Sequence, residues 1–180
     1  MSLVSKPPYR FDHVGSLLRP EALLKSREKW KAGEMTLEDL HNHEDQCIKD
    51  VVKLQKEVGL QSITDGEFRR ESFHVDFITQ IENVSSNWDF DAAVQLGTDH
   101  KAGQDKQMPF VPYITGKIKR PADGIEVDNY KYTSSLTDRT VKVTMPSPTM
   151  THFRGGRDAI DEEAYPEMES FFSDLSSLYR

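Results

Sequence analysis

The residues best suited to chemistry are concentrated in one stretch, Leu60–Arg70, which reads Leu-Gln-Ser-Ile-Thr-Asp-Gly-Glu-Phe-Arg-Arg. Two acids, Asp65 and Glu67, flank Gly66, and two bases, Arg69 and Arg70, follow. Leu60, Ile63 and Thr64 give the preceding residues strand character, so the charges fall at the carboxyl end of a short strand. In α/β folds ligands sit beyond those ends. Gly66 permits a tight turn, or a close approach to a ligand, where a side chain would clash. The same charges also suit a helix-to-strand loop that faces water, and both readings stand on this stretch alone. Other reactive groups are sparse. The single cysteine, Cys47, lies in an apolar helical stripe and reads as a small core residue. His41-x-His43 points to different sides of a helix, poor geometry for one metal, and reads as surface polar.

The elements that must hold this stretch follow from the apolar spacing. Tyr9–Ser16 reads as a first strand ending in a Gly-Ser turn. Pro20 opens a helix carrying Leu23, Leu24 and Trp30, which stops at Gly33. Thr36-x-x-Asp39 resembles a capping box and opens a helix to Val58, whose stripe is Leu40, Cys47, Val51, Leu54 and Val58. After the Leu60–Thr64 strand, a helix is expected from about Glu71 to Val84, carrying Phe73, Phe77, Ile78 and Ile81. Asn83–Met108 breaks the rhythm with a short hairpin around Trp88–Val94 and a polar stretch, Gly97–Gly103. A loop of that length is usually functional or mobile. Strand character returns at Phe110–Ile118 and Val141–Met145. Helical character returns at Val127–Leu136, at Thr149–Phe153 and from Pro166, where Met168, Phe171, Phe172, Leu175, Leu178 and Tyr179 share a face.

One hundred and eighty residues make one ordinary domain. The net charge of −7, from 23 basic and 30 acidic residues, gives no electrostatic support to a nucleic-acid role. No apolar run reaches the roughly 20 residues of a membrane span. One cysteine rules out an internal disulfide, suits a reducing cytosol and excludes a multi-cysteine metal site within one copy. Four strands alternating with helices, the last helix cut at Arg180, read as about half of a (β/α)₈ (TIM) barrel with a loop inserted at about 85–109.

Three segments together resemble the cobalamin-independent methionine synthase family, in its short single-barrel members. They are His13-Val-Gly-Ser16 with Leu-Leu-Arg19-Pro20, then Gln55–Gly59 running into Thr64-Asp-Gly-Glu67-Phe-Arg69, and Val141-Lys-Val-Thr-Met-Pro146-Ser-Pro148-Thr. Thr115-Gly116-Lys-Ile-Lys-Arg120-Pro121 fits between the second and third. Each motif alone is modest; four in register over residues 10–180 are specific.

The resemblance implies the N-terminal half of a barrel that transfers a methyl group to the thiol of homocysteine bound to zinc, which lowers the thiol pKa. It implies that Val14, Gly15, Ser16 and Glu67 hold the amino-acid part. Gly15 and Ser16 can offer N–H groups to a carboxylate, and Glu67 can pair with an ammonium. A plain turn and an ion pair of Glu67 with Arg69 or Arg70 are the alternatives. His13 is a further pocket position, and Arg19 and Arg120 are positions that could meet an anionic donor.

The chain departs from the family in two ways. The family's zinc ligands are a His-x-Cys pair, a Glu and a further Cys in the second half of the barrel. None of the six histidines (His13, His41, His43, His74, His100, His152) has a cysteine two residues on. The metal ligands and catalytic residues are therefore expected beyond Arg180, and this chain alone is expected to be inactive. An Arg-Cys pair that helps hold folate in the long enzymes is missing from Asp99–Phe110, which leaves the donor open between a methyltetrahydrofolate and another. Alternatives are alkyl transfer to a thiol such as coenzyme M, a decarboxylase of the uroporphyrinogen type, and an inactive truncated barrel. The expected setting is cytoplasmic, with a small-molecule substrate and homo-oligomers formed through exposed half-barrel edges.

Overall fold

The long helices form where caps and spacing place them. A computed structural model describes residues 9–87 and 111–180 of the chain. Helix α1 (Glu21–Lys31) follows Pro20. Helix α2 (Leu37–Glu57) is capped by Thr36, whose hydroxyl accepts from Asp39 N–H at 3.1 Å and donates to the Asp39 carboxylate at 2.7 Å. The expected hairpin at Trp88–Val94 and the polar stretch Gly97–Gly103 lie outside the described residues.

The chain divides into two compact units: Met1–Phe73 with Glu126–Thr144, and His74–Ile125 with Met145–Arg180. In the first, β1 (Ser62–Ile63) pairs in parallel with β2 (Thr140–Val141), Ser62 opposite Thr140 and Ile63 opposite Val141. Helix α3 (Val127–Ser135) leads into β2. Leu23, Leu40, Ile48, Val51, Val52, Ile63 and Phe68 form the apolar core, with Cys47 packed half-buried against it. Burial pushes the Cys47 thiol up, aided by the Asp50 and Glu44 charges.

The buried face of α2 differs from the expected stripe. It runs Leu40, Glu44, Ile48, Val51, Val52, Gln55, while Leu54 and Val58 are exposed. Two polar residues occupy core positions because each has partners there. Glu44 sits between Arg27 and Arg69, 3.1 and 3.2 Å away. Gln55 donates to Thr64 C=O at 2.8 Å and accepts from Thr64 N–H at 2.9 Å, which closes the backbone bonds of the strand end.

Tyr9–Ser16 is irregular rather than a strand. Side chains tie it down instead: Tyr9 bonds Thr140 at 2.6 Å, while Asp12 accepts from Ser62 and from Lys142, the latter at 2.6 Å. Likewise, of the expected Val141–Met145 strand only Val141 falls within β2, with Lys142 N–H adding one further bond to Ile63 C=O at 2.9 Å.

The second unit corrects another expectation. Of the helix expected over Glu71–Val84, a single turn forms, α4 in this unit's order (Val75–Ile78). Glu82–Ser86 is a strand, β3, antiparallel to β4 (Pro112–Lys119), and Phe73 is exposed. Pairing with a distant partner overrode the local helical spacing. A 3₁₀ turn spans Pro148–Thr151, and α5 covers Met168–Leu178. Phe171, Leu175 and Leu178 of α5 pack with Ile81, Ile114, Ile118, Ile160 and Tyr165. The Tyr165 hydroxyl donates to Asp174 at 2.9 Å and accepts from Ile118 N–H at 2.8 Å.

Candidate functional site

Directly after β1 the chain turns through Thr64–Glu67. Thr64 Oγ1 accepts from Gly66 N–H at 3.0 Å, and Asp65 Oδ1 accepts from Glu67 N–H at 2.8 Å. Gly66 is at φ +71°, and a Cβ there would lie 2.9 Å from the Phe68 ring and 3.3 Å from Leu17 Cβ. Glycine is required on both counts. Glu67 is also left-handed, at φ +58°, with no glycine to ease it, a conformation that costs an L-residue about 1–2 kcal/mol.

That turn buries the Glu67 carboxylate, 3 % exposed. Its Oε2 accepts from the Ser16 hydroxyl and its Oε1 from the Thr144 hydroxyl, the latter at 2.5 Å. Arg70 Nη1 stands 3.7 Å from Oε1. Arg70 is itself buried and uses its whole guanidinium. Nε donates to Glu126 Oε1 at 3.0 Å, Nη1 to Phe73 C=O at 3.2 Å and Thr144 Oγ1 at 3.3 Å, and Nη2 to Thr144 C=O at 2.7 Å. Glu126 precedes α3 at φ +66°, and its other oxygen accepts from Asn129 at 2.7 Å.

Of the residues singled out in the sequence, Gly15, Ser16, Arg19 and Glu67 come together. Gly15 turns at φ +89° and its carbonyl bonds His13 Nε2 at 3.0 Å. Among the described residues, the N–H groups of Gly15 and Ser16 have no hydrogen-bond partner. Leu17 N–H donates to Gly66 C=O at 3.1 Å and locks the two turns together. Val14 is exposed. Arg19 Nη2 donates to the backbone carbonyls of Glu67 at 3.1 Å and Arg70 at 2.7 Å, so it braces the turn. Arg120 follows β4, exposed, in the second unit. Glu67 does approach Arg70, as the ion-pair alternative held; Arg69 instead pairs with Glu44 and Asp45.

Three acids, Asp65, Glu67 and Glu126, therefore surround one guanidinium. Burial pushes the Asp65 carboxyl up; the Glu67 N–H bond opposes this, and the Glu126 charge adds to it. A surplus of acid beside two unpartnered N–H groups suits a ligand with an ammonium and a carboxylate on one carbon.

Comparison with known proteins identifies the family. Residues 12–165 match the family model described as cobalamin-independent synthase, catalytic domain. The chain belongs to the cobalamin-independent methionine synthase family. Bacillus subtilis YxjH, an uncharacterized protein, is 37 % identical over 97 % of this chain and 44 % of its own length. The 5-methyltetrahydropteroyltriglutamate–homocysteine methyltransferase of Thermotoga sp. is 27 % identical over 75 % of this chain and 17 % of its own length. A Listeria monocytogenes protein, solved as a candidate vitamin-B12-independent methionine synthase, superposes with a TM-score of 0.73 at 33 % identity, covering 96 % of this chain and 46 % of its own. The fold is thus part of a barrel of the methionine synthase type, and the chain spans about half the length of YxjH and of the Listeria protein.

The zinc that the family implies finds no fit among the described residues: no group of three or more His, Cys, Asp or Glu side chains could hold a metal ion. The Cys47 thiol, raised by burial, is the opposite of a metal-activated thiolate. No helix among the described residues is long and apolar enough to cross a membrane. Sequence reading missed Thr144 and Glu126. Thr144 lay inside the quoted third motif, and its spacing from β2 was the available signal. Glu126 carried none, because nothing local marks a left-handed glutamate.

Proposed function

We propose that this chain supplies the amino-acid clamp of a methyltransferase acting on the thiol of homocysteine. The observation that carries the reading is the buried Glu67 carboxylate, joined through Ser16 to a turn with two unpartnered N–H groups. In this reading Gly15 and Ser16 N–H donate to the substrate carboxylate and Glu67 accepts from its ammonium. Thr144 and Ser16 fix the two carboxylate oxygens so that little reorganisation is needed on binding. The thiol tail points away from the clamp towards the methyl donor. Family membership supports methyl transfer as the reaction class, and homocysteine is the substrate named for the Thermotoga relative.

The test is calorimetric titration of the protein with L-homocysteine, with 4-mercaptobutanoate, which lacks the ammonium, and with 2-mercaptoethanesulfonate. L-Homocysteine is expected to bind at least about tenfold more tightly than either, and Glu67→Gln to remove that preference, since a charge-assisted bond contributes roughly 1.5–3 kcal/mol. Equal binding of all three thiols by the unaltered protein would sink the clamp.

A further inference from the structure

We infer that Arg70 and Glu126 are positioning residues for the clamp, holding Glu67 in the one orientation that the Gly15–Ser16 turn can use; this rests on the homocysteine-clamp reading above. Three non-glycine residues with positive φ are described, Glu67, Asn83 and Glu126, and two of them belong to this one cluster. Backbone strain of that kind persists only where the surroundings over-determine it. Here Asp65 and Arg19 hold the Glu67 backbone, and the Arg70 guanidinium draws the Glu67 and Glu126 carboxylates to one centre.

The guanidinium reaches Glu126 before α3, Phe73 C=O in the segment after the turn, and both the hydroxyl and the carbonyl of Thr144 after β2. Thr144 Oγ1 accepts from Arg70 and donates its own hydrogen bond to Glu67 Oε1 at 2.5 Å. The chain of contacts therefore runs Glu126, Arg70, Thr144, Glu67, with no polar step longer than 3.3 Å. Glu126 fixes the Arg70 fork, the fork fixes the Thr144 rotamer, and Thr144, with Ser16 on the other oxygen, fixes the orientation in which the Glu67 carboxylate would meet an ammonium. Glu126 also shares the Arg70 charge: its Oε1 takes Nε at 3.0 Å, while Glu67 Oε1 stands farther off, at 3.7 Å from Nη1.

Ligand discrimination separates this role from a merely structural one, because general loosening weakens amine-bearing and amine-free thiols alike. The ratio of 4-mercaptobutanoate to L-homocysteine dissociation constants is measured for the unaltered protein, Glu126→Gln, Glu126→Asp and Thr144→Val. Glu126→Gln is expected to lower the ratio about tenfold, Glu126→Asp to recover part of it, and Thr144→Val to lower it with little change in melting temperature. Thr144→Val is near-isosteric and decides the matter if the Glu126 variants fail to fold. Folded variants that keep the unaltered ratio overturn the positioning role while leaving the clamp standing. An unaltered protein with no preference overturns the clamp, and the positioning role with it.

Discussion

The two units of this chain solve the problem of a core in opposite ways. Of the eleven buried polar residues among those described, nine lie in the first unit, among them Glu44, Glu67, Arg70 and Glu126; the described part of the second has His74 and Thr151. The second unit instead packs aromatic rings: Tyr165 and Phe171 meet edge to face at 5.3 Å, and His152 and Phe171 at 5.7 Å. Burying ions is expensive unless every one is paired, and an apolar core of like volume is often as stable. The first unit accepts that cost beside its apolar core, around Glu44 and Glu67, whereas the second largely avoids it.

The largest test of the contrast is Glu44→Ala. It strips the carboxylate held by Arg27 and Arg69 and leaves two guanidiniums short of a partner. A loss of about 3–5 kcal/mol is expected in urea unfolding. Phe171→Leu, which trims the second unit without stranding a charge, is expected to cost about 1–2 kcal/mol. Equal losses would erase the distinction between the two cores.

Acid sharpens the contrast at intermediate size. Burial, followed by the Arg154 charge, pushes the His74 imidazole down to about 4. Between pH 6.5 and about 4 the unfolded chain takes up a proton that folded His74 does not, so stability falls as pH drops through that window and is flat above it. Urea midpoints from pH 7.5 to 4 should show the slope, and His74→Gln should flatten it. A slope unchanged in His74→Gln would assign the acid sensitivity elsewhere.

The smallest effect belongs to Asp12. Its hydrogen bonds from Lys142 and Ser62 hold the carboxyl below its usual value, which favours the folded state above pH 4 and ceases to do so as pH falls through the lowered value. Because Asp12 is partly exposed, Lys142→Met should cost less than about 1 kcal/mol at neutral pH. That cost should shrink on acidification, as circular dichroism melts at pH 7 and pH 3 would record. A cost that grows in acid would contradict it.

Local chemistry made α1, α2, α3 and α5 legible, because Thr36, Pro20 and the apolar spacing act within a few residues. The Gly15–Ser16 and Glu67 motifs were legible as pieces for the same reason. What escaped was set by distant partners: the β3–β4 pairing that replaced a helix at Glu82–Ser86, and Glu44 and Gln55 in the core face of α2. A hydrophobic stripe skips such residues, since their burial depends on a partner that sequence spacing does not display.

Arg70 also says something about the order in which the chain assembles. Its ties to Glu126 and Thr144 close loops of 56 and 74 residues, and the first loop contains His74–Ile125 of the other unit. Closing loops of that length costs chain entropy before any contact returns it, and such contacts form slowly. The Arg70 network is therefore expected to close late in folding. A ligand that bound this cluster in the folded state alone would, by mass action, also hold those two long loops closed.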